Sequence, residues 1–208
     1  MPASQPDFAL EASALDHGAR RVCGIDEVGR GPWAGPIVAA AVILDPGAIP
    51  EGLNDSKLLT ARRREALHEI LMETALVGIG EASVDEITRL NISQAGFLAM
   101  RRALALLPAP PDLALVDGRH LPPGLSCHAR AIIGGDARSL SIAAASIVAK
   151  VTRDRTMVAL AQQFPGYGWE TNMGYGTKAH IAGLAEHGVT PHHRPTFRPI
   201  HNILRRHA

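Results

Sequence analysis

Two apolar runs in this chain stop at carboxylates. Val22-Cys23-Gly24-Ile25 runs into Asp26-Glu27, and Leu113-Ala114-Leu115-Val116 runs into Asp117-Gly118. Short apolar runs of this kind, bounded by turn residues, read as buried strands. A carboxylate at the end of a buried strand is costly unless something cationic joins it. For any single Asp at such a place a plain turn or cap is the favoured reading. Asp136 follows Gly134-Gly135 directly before a long helical stretch, and on its own it reads as a helix cap. Four carboxylates at the ends of buried elements carry more weight than one. Oxygen-only ligands suit Mg²⁺ or Mn²⁺. A pair of such ions about 3.5–4 Å apart is a common device for phosphodiester hydrolysis. Asp26 and Glu27, as neighbours in a regular strand, point to opposite faces. If both serve one site, a bulge intervenes or Glu27 contributes partly through its backbone carbonyl.

The remaining pattern predicts an α/β fold. Strands are expected over 22–26, 37–44, 76–83, 113–116 and 129–133. Helices are expected over 61–75 behind a Thr60 cap, over 91–107 ahead of Pro108, over 139–164 and over 178–186. Residues 1–20 read as a loose lead-in with at most one helical turn. Residues 21–165 read as a catalytic domain with a mixed sheet covered by helices. Residues 166–208, rich in Gly, Pro and His, read as a small helical appendage. A chain of 208 residues has room for one such domain with an appendage.

Composition excludes several classes. No apolar run approaches the roughly 18–20 residues of a membrane span. The N-terminus has no basic head followed by an apolar core, so no secretory signal is read. Cys23 and Cys127 are the only cysteines, which leaves no disulfide framework and no zinc ligand set. A cytoplasmic, reducing setting and a monomer are expected. The net charge of +1 hides an asymmetry, with 10 Lys/Arg against 15 Asp/Glu in residues 1–116 and 11 against 5 in 117–208. A basic half suits a phosphate-rich partner, and it is equally well explained by scattered solvated charge.

Other motifs are individually weak. Gly29-Arg30-Gly31-Pro32 lets a backbone approach a ligand closely, but an isolated pair of glycines is more often a tight turn. Its spacing is not that of a dinucleotide fingerprint, and a strand rather than a helix follows. Asn54-Asp55-Ser56-Lys57 binds phosphate or is only a turn, and locally the turn is favoured. Ser146, Lys150 and Arg153 form one polar stripe of the long helix, and polar stripes usually face solvent. Gly174-Tyr175-Gly176-Thr177 offers an aromatic ring that either stacks on a sugar or base or packs inside. His187, His192, His193, His201 and His207 crowd the tail without helical metal-ligand spacing.

Together these stretches resemble the bacterial ribonuclease HII family. The resemblance is carried in order by Gly24–Pro32, Leu53–Lys57, Val116–Gly118, Gly135-Asp136, Ser141–Asp154, Gly174–Thr177 and His187–Arg194. It implies the ribonuclease H-like fold, with a five-stranded mixed sheet and a helical C-terminal piece. It implies that Asp26, Glu27, Asp117 and Asp136 bind the metal, expected to be two Mn²⁺ or Mg²⁺ ions. It assigns Gly29, Arg30 and Gly31 to the 2′-hydroxyl of a ribonucleotide and Tyr175 to the sugar beyond it. Asn54, Ser56, Lys57, Ser146, Lys150 and Arg153 are implied as substrate contacts, largely to phosphates. The implied substrates are RNA/DNA hybrids and duplex DNA containing ribonucleotides. Lys57 is followed by Leu58 where many members carry a second lysine, and Val28 stands where alanine is common. The archaeal clamp-binding peptide has no clear counterpart. A resolvase or a ribonuclease HIII-like hybrid cutter is the nearest rival, and a non-catalytic nucleic-acid-binding module is the other.

Overall fold

The computed structural model describes residues 5–206, so His207 and the first four residues of the lead-in lie outside it. β1 (Val22–Val28) lies at the centre of a five-stranded sheet. β2 (Ile37–Ile43) pairs antiparallel with β1, and β3 (Leu76–Ala82) pairs antiparallel with β2. On the other side β4 (Leu113–Asp117) runs parallel to β1, and β5 (His128–Ile132) runs parallel to β4. The order β3-β2-β1-β4-β5 is therefore a mixed sheet.

Both faces are covered because the strands are apolar on both sides. Cys23, Ile25, Ile37, Ala39 and Ala41 face α4 (Ile92–Ala105). Ala40 and Val42 face α5 (Leu140–Gln163) and α2 (Ala61–Thr74). The two sets alternate along β2 with the period of two that a strand imposes. Thr60, Asn91 and Ser139 each accept a hydrogen bond from a backbone N–H in the first turn of these helices.

Gly24 shows how closely α5 lies. A Cβ at this position would fall on the backbone of Ser141 and Ile142. Gly24→Ala is expected to lower the melting temperature sharply. Overpacking typically costs about 1–3 kcal/mol, and helix backbone yields less than a side chain does. A melt identical to the parent's would show that α5 can back away.

Two elements differ from the sequence reading. The lead-in holds a full helix, α1 (Ala9–Asp16), rather than a single turn at most. It is held by Glu11, 1% exposed, which accepts from the hydroxyl of Ser139, 2.5 Å away, and from the Ser141 N–H, 2.9 Å away. That support comes from the far end of the domain and adds to local signals, Asp7 Oδ1 accepting from the Ala9 N–H at 3.0 Å and Gly18 at φ +97° just past the helix end. α3 (Val84–Leu90) was not expected, although Ser83 and Glu86 form the reciprocal capping pair that marks a helix start. Arg102 clamps Glu86 with two contacts of 2.7 Å and holds the carboxyl at about 2, chiefly through these hydrogen bonds.

The C-terminal piece supplies α6 (Trp169–Asn172), α7 (Lys178–His187) and α8 (Arg198–Arg206). Trp169, Leu184 and Ile200 pack with Met157 and Ala161 of α5 and with Ala34. The appendage is thereby seated on the segment between β1 and β2.

Candidate active site

β1 and β4 are parallel neighbours, so their carboxyl ends lie side by side. Asp26 follows Ile25, which pairs with Val116, the residue before Asp117. Asp26 and Asp117 share the α5 side of the sheet, to judge by the alternation of Cys23, Ile25, Ala114 and Val116 toward α4. Asp136 sits in a 3-10 turn (Gly135–Ala137) just ahead of α5. Asp117 Oδ1 accepts from the Gly135 N–H at 2.7 Å, which ties that turn to β4.

Glu27 faces the opposite side. The β1–β2 register runs without a bulge through Asp26 and Glu27, so the two side chains diverge as the strand period requires. Glu27 and Asp117 nevertheless both line one open groove of about 420 Å³, together with Arg30, Ser93 and Arg119. The four acids thus surround the ends of the two central strands.

Their charges are not balanced. Asp26 is 7% exposed and Asp136 8%. Burial lifts the Asp26 carboxyl well above the usual range, and Glu27, Asp117 and Asp136 push it the same way. Burial also raises Glu27, against the pull of Arg30. Burial raises Asp117, opposed by the Gly135 N–H and reinforced by Asp136. Two cations lean on the cluster. Lys57 Nζ lies 3.3 Å from Asp136 Oδ2, and Arg30 Nη1 lies 3.3 Å from Glu27 Oε1. Burial works against the Lys57 ammonium, yet Asp55, Asp136 and Asp26 together raise its pKa. Among the described residues no three His, Cys, Asp or Glu side chains are already gathered as a metal-ligand set. The donor chemistry still fits a hard divalent cation, because every donor is a carboxylate and their mutual repulsion favours added positive charge.

The implied substrate contacts divide into two groups. Lys57 is exposed, Arg30 is half-exposed and reaches Ser93 Oγ at 3.3 Å, and Tyr175 is 48% exposed. A Cβ on Gly31 would lie 3.3 Å from Tyr175 Cε1, so loop and ring are in apposition. Gly29, with φ +100°, has a backbone suited to glycine, and a side chain there would collide with Arg153. Asn54 Oδ1 accepts from the Asp55 N–H at 2.9 Å and shapes the turn.

The other group is inside. Ser146 and Ser56 are 3% and 4% exposed and bond each other at 2.7 Å, pinning the Asn54–Lys57 turn to α5. Lys150 is partly buried and paired with Asp154 at 2.7 Å. Arg153 requires a correction. It is 1% exposed and donates to the carbonyls of Pro36, Met173 and Ala34 at 2.9–3.0 Å, so it is not placed on a substrate-facing surface. A polar helical stripe reads as solvent-facing only while the segments packed over it are unknown.

Sequence reasoning passed over His180, which is fully buried against His193 and Trp169. Burial, then the neighbouring His180, holds the His193 pKa down to about 4 from 6.5. Between those two values the unfolded chain binds more protons at this position, so its contribution to stability falls as pH falls from 6.5 toward about 4. The drop in melting temperature over this window should be smaller in His193→Gln than in the parent. Equal drops would assign the acid sensitivity to other groups.

A mixed five-stranded sheet, helices on both faces and carboxylates around the ends of its two central strands define a ribonuclease H-like nuclease. A family model described as Ribonuclease HII matches residues 23–201. The chain therefore belongs to the ribonuclease HII family, and it is a hydrolase of a metal-dependent class. It is 63% identical to the ribonuclease HII of Ruegeria pomeroyi over 97% of this chain and 86% of that one. It is 62% identical to that of Paracoccus denitrificans over 96% and 95%. The crystal structure of ribonuclease H2 from Pyrococcus horikoshii OT3 superposes with a TM-score of 0.76 at 28% identity, covering 89% of this chain and 98% of that one. Bst-RNase HIII in complex with Mn²⁺ shares the fold, with a TM-score of 0.76 at 22% identity over 99% of this chain and 73% of that one. Among the described residues no helix is long and apolar enough to cross a membrane.

Proposed function

We propose that this chain cuts on the 5′ side of ribonucleotides embedded in duplex DNA and within the RNA strand of RNA/DNA hybrids, leaving 5′-phosphate and 3′-hydroxyl ends. The observation that carries this reading is the meeting of two features at one rim. Four carboxylates, of which only Glu27 and Asp136 have a cation 3.3 Å away, stand around the ends of β1, β4 and the turn before α5, and Gly31, four residues beyond Glu27, is apposed to the Tyr175 ring. Asp26, Glu27, Asp117 and Asp136 would hold two Mg²⁺ or Mn²⁺ ions. When bound, these ions supply the charge that activates water and stabilises the leaving 3′-oxygen.

The protein's own part is positioning. Gly29 and Gly31 let backbone groups reach a 2′-hydroxyl, which both donates and accepts, whereas a deoxyribose offers nothing there. Tyr175 packs on the sugar that follows. Lys57, already drawn toward Asp136, and Lys150 hold phosphates, while the Ser56–Ser146 bond fixes the turn that presents Lys57. Arg153 belongs to the loop's support instead.

The test is cleavage of a duplex carrying one ribonucleotide, with and without Mg²⁺ or Mn²⁺. A single metal-dependent cut on the 5′ side is expected, and an all-DNA duplex should stay intact. Cleavage only in long hybrids would favour the hybrid-cutter reading. Binding should also weaken steeply with salt, because each phosphate contact releases counterions. Lys150→Ala should reduce the salt slope by about 1 and weaken both substrates alike, since a phosphate contact carries no sugar information. A loss confined to one substrate would mean that Lys150 reads something else.

A further inference from the structure

The His192-His193-Arg194 segment of the tail takes no part in the chemistry above, yet it is tied to both halves of the ribose contact. It lies along the segment between β1 and β2. Gly35 N–H donates to the His192 carbonyl at 2.9 Å, and Arg194 N–H donates to the Trp33 carbonyl at 2.8 Å. The Arg194 side chain is fully buried. Its Nε donates to the Gly35 carbonyl at 2.9 Å, and Nη1 to Arg30 and Pro32 at 3.2 and 2.8 Å. Its Nη2 donates to Gly29 and Pro36 at 2.6 and 3.1 Å. A guanidinium is the side chain that can hold five carbonyls at once, because its donors form a rigid planar fork. The arrangement is costly, as burial and then Arg153 pull the Arg194 pKa down to about 9.

The neighbouring His193 points the other way along the chain of contacts. Its Nδ1 accepts from the Thr190 N–H at 3.0 Å, so Nε2 carries the hydrogen and donates to His180 Nε2 at 3.0 Å. His180 Nε2 also accepts from the Trp169 indole N–H at 3.1 Å. That leaves His180 Nδ1–H to donate to the Tyr175 carbonyl at 3.0 Å. Every ring nitrogen thus has a partner with both histidines neutral, the one lone pair of His180 Nε2 being shared by two donors.

We propose that His193 and Arg194 are paired positioning residues that set the gap between the Gly29–Pro32 loop and Tyr175, and thereby the discrimination of a ribose–deoxyribose junction. Arg194 fixes the loop, and His193 fixes Tyr175 through His180. Because the two are adjacent in sequence, the loop and the Tyr175 backbone from which the ring projects are held to one reference. The gap is narrow, since a Cβ on Gly31 would lie 3.3 Å from the ring. The inference rests on the ribose contact proposed for Gly31 and Tyr175.

The experiment measures kcat/KM on a duplex with one ribonucleotide and on a long hybrid, for the full chain and its variants. Wild-type protein that fails to cut at the lone ribonucleotide would remove the underlying reading, whatever the variants do. With that cut established, Arg194→Lys and His193→Leu should each shift the ratio of the two rates by about 10-fold against the junction. His193→Gln keeps a donor toward His180 and should restore most of the ratio. In a Tyr175→Ala background the same substitutions should change the ratio by no more than about 2-fold, because the partner they align is gone. Folded variants with an unchanged ratio, or shifts that persist undiminished without Tyr175, overturn the proposal. So does a circular dichroism result in which Arg194→Lys, His193→Leu and His193→Gln all fail to fold, since that makes the segment architecture only.

Discussion

Asp117→Asn should lose cleavage by on the order of 10³-fold or more while folding normally. Asparagine keeps an oxygen that can accept from the Gly135 N–H, now bonded to Asp117 at 2.7 Å, so the link between β4 and the turn before α5 survives. What disappears is one negative charge from a crowded cluster. Burial and the charges of Glu27, Asp117 and Asp136 together raise the Asp26 carboxyl. Removing one of those charges relieves repulsion, so the metal-free variant should melt no lower than the parent. Added Mn²⁺ should raise the parent's melting temperature, as any ligand of the native state does, and raise the variant's less. Asp136→Asn should behave alike in activity, but it also frees Lys57, which lies 3.3 Å from Asp136. Paired activity assays and melts, with and without MnCl₂, check both. Near-normal activity of purified Asp117→Asn in Mg²⁺ would sink the assignment of this acid.

Tyr175→Ala and Gly31→Ala should separate junction sensing from chemistry. Tyr175 is 48% exposed, so truncating it should leave the fold intact. Cleavage at a lone ribonucleotide should then drop by about 10-fold or more relative to cleavage within a long RNA strand, in proportion to lost alignment at the junction. Gly31→Ala is expected to impair both substrates together. Its backbone is not in the left-handed region, unlike Gly29 at φ +100°, so the substitution adds bulk without backbone strain. That bulk stands between the loop and the Tyr175 ring, where the sugar must approach. The ratio of the two rates for each variant is the measurement. An unchanged ratio with unchanged rates in Tyr175→Ala would make the tyrosine structural and place junction sensing elsewhere.

The most legible parts of the fold are those governed by local rules. All of the Ile37–Leu44 run but its last residue becomes the fully buried strand β2, because it is apolar at every position and bounded by prolines. Thr60 caps the helix it was expected to cap, since a hydroxyl at that place satisfies an N–H without help from elsewhere. The Ser83–Glu86 capping pair is equally local and marks the start of α3. α1 has local signals in Asp7 and Gly18, but the burial of Glu11 against Ser139 and Ser141, over a hundred positions away, is not legible in the sequence.

Sequence alone determined which residues could do chemistry. It put acids at the ends of apolar strands, and strand periodicity already required Asp26 and Glu27 to diverge, as they do. Only the tertiary structure decided which of the remaining polar residues reach the surface near the acids and which face inward. Lys57, Ser146 and Arg153 look alike on paper as polar residues of a turn or of one polar helical stripe. Lys57 reaches outward to the acids, Ser146 pins a turn, and Arg153 is spent on the carbonyls of Ala34, Pro36 and Met173. His193 and Arg194 turn from a tail motif without an assigned role into the brace behind Gly31 and Tyr175. The physical reason is that a hydrogen-bond donor is defined locally, but its acceptor is chosen by packing. A segment folded over from elsewhere in the chain can convert a solvent-facing charge into a buried one, and no periodicity within the helix records that event.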